Sequence, residues 1–159
     1  MLRVKYFSYG SNIDINRLKG RVEFLDEPVL RGEPYILNNY ELKFNAGIRF
    51  STFAFANIEY RKGAKVEGIL YDITPNQFSK LDRCEVFYDK HYFQIDENTI
   101  GCTYIAKPKT TLQKEAKPDL SYLNVIIDGC KNNGLSNTYE KLVRFKLANY
   151  KIRKSKHKL

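Results

Sequence analysis

The apolar run Val4-Lys5-Tyr6-Phe7 stops at Tyr9-Gly10-Ser11-Asn12, and Ile13-Asp14-Ile15-Asn16-Arg17-Leu18 is able to start a helix directly after it. A strand that passes into a helix through a glycine and small polar residues fixes where the chain turns near its beginning. Gly10 permits positive φ and close backbone approach, and Ser11 and Asn12 are favoured N-cap residues. Two readings fit this segment. One is an ordinary strand-to-helix turn. The other is a loop whose unpaired N–H groups face outward, with the positive end of the helix dipole behind them, as a seat for a carboxylate or phosphate.

The 159 residues suffice for one domain with its own core. Twelve Tyr and ten Phe stand against no Trp, and tyrosine suits the rim of a polar pocket, having an apolar body and a polar tip. Cys84, Cys102 and Cys130 are odd in number, far apart and without a CxxC pair. They imply free thiols in a reducing cytosol rather than a disulfide framework or a zinc site. With only His91 and His157, a histidine-rich metal site is not expected either. The first ten residues do not read as a signal peptide, and no stretch approaches membrane-spanning length, so the expected location is cytoplasmic without membrane partners. A GxSxG elbow, a P-loop and a dinucleotide fingerprint are all missing.

The net charge of +9 is unevenly placed. Residues 141–159 hold eight Lys and Arg and no acid, whereas the other 140 residues hold 19 basic and 18 acidic groups. The expected organisation is a nearly neutral domain over residues 1–150 and a basic tail over 151–159. Such a tail can attract a nucleic acid or an acidic protein. It equally suits a solvated helix end whose cations complement the dipole, and no groove-reading motif or aromatic platform accompanies it.

Along the chain, residues 3–8 read as a strand and 13–19 as a short helix. Residues 28–45 read as extended, with turns at Gly32-Glu33-Pro34 and Asn38-Asn39. Strands follow at 52–58 and 65–73, separated by a turn at Arg61-Lys62-Gly63, with Gly68 marking a bulge or close approach. Thr74-Pro75 opens a helix that runs out near Asp82–Glu85. A hairpin over 91–96 and 99–106, a surface loop over 107–118 and two helices complete the pattern. The first of those helices ends at Asn132-Asn133-Gly134. Without regular strand–helix alternation, this order predicts an α+β fold: a compact mixed sheet or partly closed barrel with peripheral helices.

These landmarks together resemble the γ-glutamylcyclotransferase-like family. The matches are Tyr9–Asn12 with Arg17 after it, Asn57-Ile58, and Val66-x-Gly68-x-Leu70-Tyr71-x-Ile73. They continue through Leu81-Asp82-x-x-Glu85, Tyr92, Tyr122 with Ile126, Gly129–Leu135 and Tyr139, in the family's order and over everything except the basic tail. The resemblance implies conversion of a γ-glutamyl amide into 5-oxoproline with release of the amine, without cofactor or metal. The nucleophile is then the substrate's own α-amino group, and one carboxylate serves both proton transfers. Glu85 matches the family's acid/base. Tyr9, Gly10, Ser11 and Asn12 would hold the glutamyl α-carboxylate, and Tyr92 and Tyr122 match tyrosines near the pocket.

Two features depart from the family's pattern or divide it. Val86-Phe87 follows Glu85 where the family usually has a glycine, which bears on pocket width and substrate choice. The YGSN form is also less like the glutathione-specific branch, so the implied substrates are γ-glutamyl amino acids or γ-glutamyl amines. A reading from another class is a non-catalytic binding module on the same fold, docked to an acidic partner through the tail.

Overall fold

The computed structural model describes the backbone of residues 2–156, and their side chains except those of 138 and 149–156. Five strands form one mixed sheet in the order β2-β3-β1-β5-β4. β1 (Val4–Ser8) is central, antiparallel to β3 (Phe55–Ile73) and parallel to β5 (Thr99–Ala106). β2 (Glu33–Ala46) and β4 (Tyr88–Asp96) are the edges. The sheet curls until those edges meet: Tyr40 Oη of β2 lies 2.8 Å from His91 Nε2 of β4. A second tie runs from Ala106 N–H to Asn57 Oδ1 at 2.9 Å. The result is the partly closed barrel that the strand order predicts. Fully buried Phe7, Phe44, Ile58, Ile69 and Tyr71 lie in its core.

Two expected turns become something else. Arg61-Lys62-Gly63 does not reverse the chain, because β3 runs through it as a single 19-residue strand. Gly63 has φ +82° and Asn39, opposite it in β2, has φ +64°; Gly63 N–H donates to Asn39 Oδ1 at 3.0 Å. The two turn signals therefore face each other across one ladder and mark a bulge in a long β ribbon. Pro34 lies inside β2, which an edge strand tolerates because no neighbour needs its N–H.

Gly68 is a close approach, as its place in the strand suggested. A Cβ there would stand 2.2 Å from Ser8 O and 2.6 Å from the Phe7 ring, so only glycine lets β3 pass the end of β1.

Four helices lie around the sheet. α1 (Ile15–Val22) follows a 3-10 turn at Ser11–Ile13. α2 (Pro75–Cys84) opens on a capping box. Gln77 N–H donates to Thr74 Oγ1 at 3.1 Å, and Thr74 N–H to Gln77 Oε1 at 2.9 Å. Phe78 and Leu81 bury its inner face, and the helix stops at Glu85. α3 (Leu120–Asn132) is capped by Asp119 and followed by Gly134 at φ +63°. α4 (Asn137–Lys156) carries the helical backbone into the basic tail, whose residues 157–159 lie outside the described residues. Among the described residues no helix is long and apolar enough to cross a membrane.

Candidate active site

β1 ends at Ser8, and residues 9–12 form one wall of a cavity of about 180 Å³. Every carbonyl of the Tyr9–Ile13 segment is occupied. Tyr139 Oη donates to Tyr9 O (3.0 Å), Ile13 N–H to Gly10 O (3.1 Å) and Asp14 N–H to Ser11 O (3.2 Å). Tyr71 Oη lies within reach of Asn12 O (3.0 Å) and Ile13 O (2.9 Å). The N–H groups of Gly10, Ser11 and Asn12 take no part in the described hydrogen bonds. A loop with occupied carbonyls and free amides presents donors to a ligand, the chemistry of an anion-binding nest.

The local causes differ from the sequence expectation in two respects. Gly10 has φ −110°, so left-handed freedom is not what it supplies. Packing does not demand it either, since a Cβ would make only ordinary contacts, 3.4 Å from Tyr122 Oη and 3.5 Å from Ala56 Cβ. Nor do Ser11 or Asn12 cap α1. The 3-10 turn comes first, and Asp14 takes the cap, its carboxylate accepting Arg17 N–H at 2.9 Å. From outside, α3 presses on this turn through Gly129, where a Cβ would meet Ile13 Cγ2 at 2.7 Å.

Glu85 is the one carboxylate among the residues lining the cavity. Helix α2 releases it at its C-terminal cap, and only 14% of its side chain is exposed. Oε1 lies 3.4 Å from Asn12 Nδ2 and 3.5 Å from an Arg21 terminal nitrogen. Burial raises the carboxyl above its ordinary value, while Arg21, Asn12 and Arg17 pull the other way. Asn12 holds this group together. Its amide donates to Tyr6 Oη at 3.1 Å, and its Oδ1 accepts from Arg21 at 3.1 Å.

The tyrosines divide by what their phenols already do. Tyr9 is buried, and its Oη donates to Tyr104 O at 2.6 Å, so only its backbone and ring are available to a ligand. Tyr122 and Tyr88 clamp one residue on β3. Tyr122 Oη accepts Ala56 N–H at 3.0 Å, and Tyr88 Oη donates to Ala56 O at 2.8 Å. Tyr122 thus keeps its own proton for a further acceptor. Burial and the nearby Glu85 charge push its pKa up to about 12, which keeps it a neutral donor near neutral pH.

Tyr92 does not join them. It is 61% exposed and absent from the cavity wall. It shares a face of β4 with Tyr88, but four residues at about 3.3 Å each carry it roughly 13 Å along the strand. Tyr88 takes the place expected of it.

Arg21 and Tyr6 are further lining residues that sequence reasoning missed. Arg21 had a signal, its position four residues after Arg17 on the same helical face. Tyr6 had none, because a tyrosine in an apolar strand reads as core. Val86, 60% exposed, and Phe87 give the cavity an apolar rim beside Glu85.

The strand order and the curl of the sheet are those of the γ-glutamylcyclotransferase-like fold. The chain shares its fold with a solved structure named "Gamma-glutamyl cyclotransferase": TM-score 0.72 at 21% identity, over 89% of this chain and 86% of that one. An uncharacterized human protein, loc79017, gives TM-score 0.72 at 20% identity, over 91% and 88% of the two chains. YkqA from Bacillus subtilis gives TM-score 0.69 at 20% identity; the match covers 92% of this chain but 54% of YkqA. Identities at this level speak to the fold. In sequence, residues 65–142 match the model of the AIG2-like family, and no curated protein sequence matches. Family model and fold agree in supporting a γ-glutamylcyclotransferase-like family for this chain.

Proposed function

We propose that the chain is a cytoplasmic γ-glutamylcyclotransferase-type enzyme that converts a γ-glutamyl amide into 5-oxoproline and the free amine. The observation that carries this reading is the pairing of the largely buried Glu85 carboxyl, whose affinity for a proton is raised, with a loop whose amides take part in no described hydrogen bond, in one small cavity. The loop amides of Gly10, Ser11 and Asn12 would anchor the α-carboxylate of the glutamyl unit. That contact bends the substrate so that its α-amine faces its own γ-carbonyl, replacing a search in solution by a held geometry.

Glu85, ionised, takes a proton from the amine as the new C–N bond forms. The negative charge then moves onto the γ-oxygen, where Tyr122 Oη has a free proton to donate. The protonated Glu85 returns that proton to the leaving nitrogen, the old C–N bond breaks, and the carbonyl re-forms in the five-membered ring. No net proton is consumed. A carboxyl whose affinity for the proton is raised suits both halves, because it has to accept the proton first and release it second. In this reading residues 1–150 carry the reaction, and 151–159 are an appendage it does not need.

The test is release of 5-oxoproline from a panel of γ-glutamyl amino acids, γ-glutamyl amines and glutathione. The first two groups should turn over in preference to glutathione, Glu85→Gln should abolish release, and deletion of 151–159 should leave it intact. A folded protein silent across the whole panel would refute the reading.

A further inference from the structure

The two cavity arginines are in opposite states. Arg21 is engaged by Glu85 Oε1 at 3.5 Å and by Asn12 Oδ1 at 3.1 Å. Arg17, one helical turn earlier, has a buried Nε with no hydrogen-bond partner. Among the described residues no carboxylate lies within ion-pair distance of its guanidinium, although Asp14 and Glu85 are both near enough to act on it through space. The Asp14 carboxylate is spent on the helix cap, where it accepts the Arg17 backbone N–H. Like charges four residues apart on a helix also repel, and burying an unpaired cation costs stability. Burial and the neighbouring Arg21 both work against the charge on Arg17. Such an arrangement is relieved by an anion entering the cavity.

We propose that Arg17 is the side chain that binds a substrate carboxylate in the cavity, its guanidinium either sharing the glutamyl α-carboxylate with the loop amides or pairing with a carboxylate of the leaving amino acid. The proposal rests on the γ-glutamyl reading for the identity of the ligand, and it narrows that reading to substrates with a carboxylate within reach of α1. That carboxylate belongs either to the glutamyl unit itself or to the amino acid that leaves. A planar guanidinium with its donors arranged as a fork fits a carboxylate in both cases.

Binding and turnover test this separately. Calorimetric titration of the full-length protein with 5-oxoproline and glutarate, and with uncharged 2-pyrrolidinone as control, is run on wild type, Arg17→Gln and Arg17→Lys. The expected result is carboxylate binding weakened about 10- to 100-fold in Arg17→Gln and partly kept in Arg17→Lys. The thermal midpoint of unliganded Arg17→Gln should equal or exceed that of wild type, since the unpaired charge is gone. Steady-state kinetics then compare a γ-glutamyl amino acid with a γ-glutamyl alkylamine. A rise in KM of Arg17→Gln for both substrates assigns the glutamyl carboxylate; a rise for the amino-acid conjugate alone assigns the leaving group.

Wild type binding neither carboxylate, or binding them no better than Arg17→Gln, would overturn the proposal. Carboxylate binding that depends on Arg17 in a protein with no turnover would sustain it while sinking the cyclotransferase reading.

Discussion

Two hollows open on the curled sheet, and the larger one is the less chemical. The hollow lined by Tyr40, Asn57, Glu59, Tyr60 and Leu112 encloses about 670 Å³, against about 180 Å³ for the Glu85 cavity. Both are walled by tyrosines. The difference lies in what their polar groups already hold. In the larger hollow, Asn57 Oδ1 accepts Ala106 N–H and Asn57 Nδ2 donates to Asn45 Oδ1, whose own amide donates to Glu59 Oε1 at 2.7 Å. Tyr40 Oη is held by His91. These groups close the barrel. In the smaller cavity three loop amides, the Tyr122 proton and Arg17 Nε have no described partner. Buried polar groups without partners are costly, and a fold keeps them where a ligand will supply what is missing. Size locates space, and unmet hydrogen bonding locates function.

The contrast breaks most directly at Glu85. Glu85→Gln keeps the shape and the Asn12 contact but removes proton transfer, so turnover should fall by about 10²- to 10⁴-fold with the fold intact. The matching change in the other hollow, Asn57→Ala, should act the opposite way. It leaves Ala106 N–H without its acceptor, at a cost of about 1–3 kcal/mol in denaturant unfolding, with turnover of the folded protein unchanged. A large loss of turnover in Asn57→Ala would erase the distinction between the hollows.

A pH series sharpens the comparison further. Because the Glu85 carboxyl is raised in the folded state, its effect on stability is absent below the ordinary carboxylate pKa. It turns unfavourable as pH climbs through the folded value. The thermal midpoint of Glu85→Gln relative to wild type should therefore rise as pH climbs above the ordinary carboxylate range, and level off once pH passes the raised folded value. The rate should rise over the same range, on a limb above the ordinary carboxylate value, as the base form appears. The smallest effect belongs to Tyr92→Ala. Exposed and outside the cavity, it should leave kcat/KM unchanged and stability within about 0.5 kcal/mol.

Much of the fold was legible because local chemistry and tertiary structure agree. The Thr74-Pro75 start, the hairpin around Glu97-Asn98 and the stop before Gly134 are set by capping and turn preferences that nothing overrides. The length of β3 was not. Gly63 and Asn39 each look like a turn alone and become a bulge only when paired across strands, a relation that a linear reading does not contain. The candidate site followed the same rule. Glu85 and the Tyr9–Asn12 loop are gathered in one cavity, having been picked out by a motif and its spacing. Tyr92 was expected there and Tyr88 is found instead, because both lie on one face of β4 and only the distance along the strand separates them. The roles of Tyr6 and Arg21 depend on Asn12, to which both are hydrogen-bonded, and that contact exists only after folding.

The central claim is that Glu85 moves protons while the loop and its neighbours bind. The most direct measurement is equilibrium binding of a γ-glutamyl amino acid to Glu85→Gln, set beside 5-oxoproline release by the same variant. Affinity close to that of wild type with release abolished is the predicted result. Release that persists in the variant, or binding lost together with it, would contradict the division between the acid and the loop.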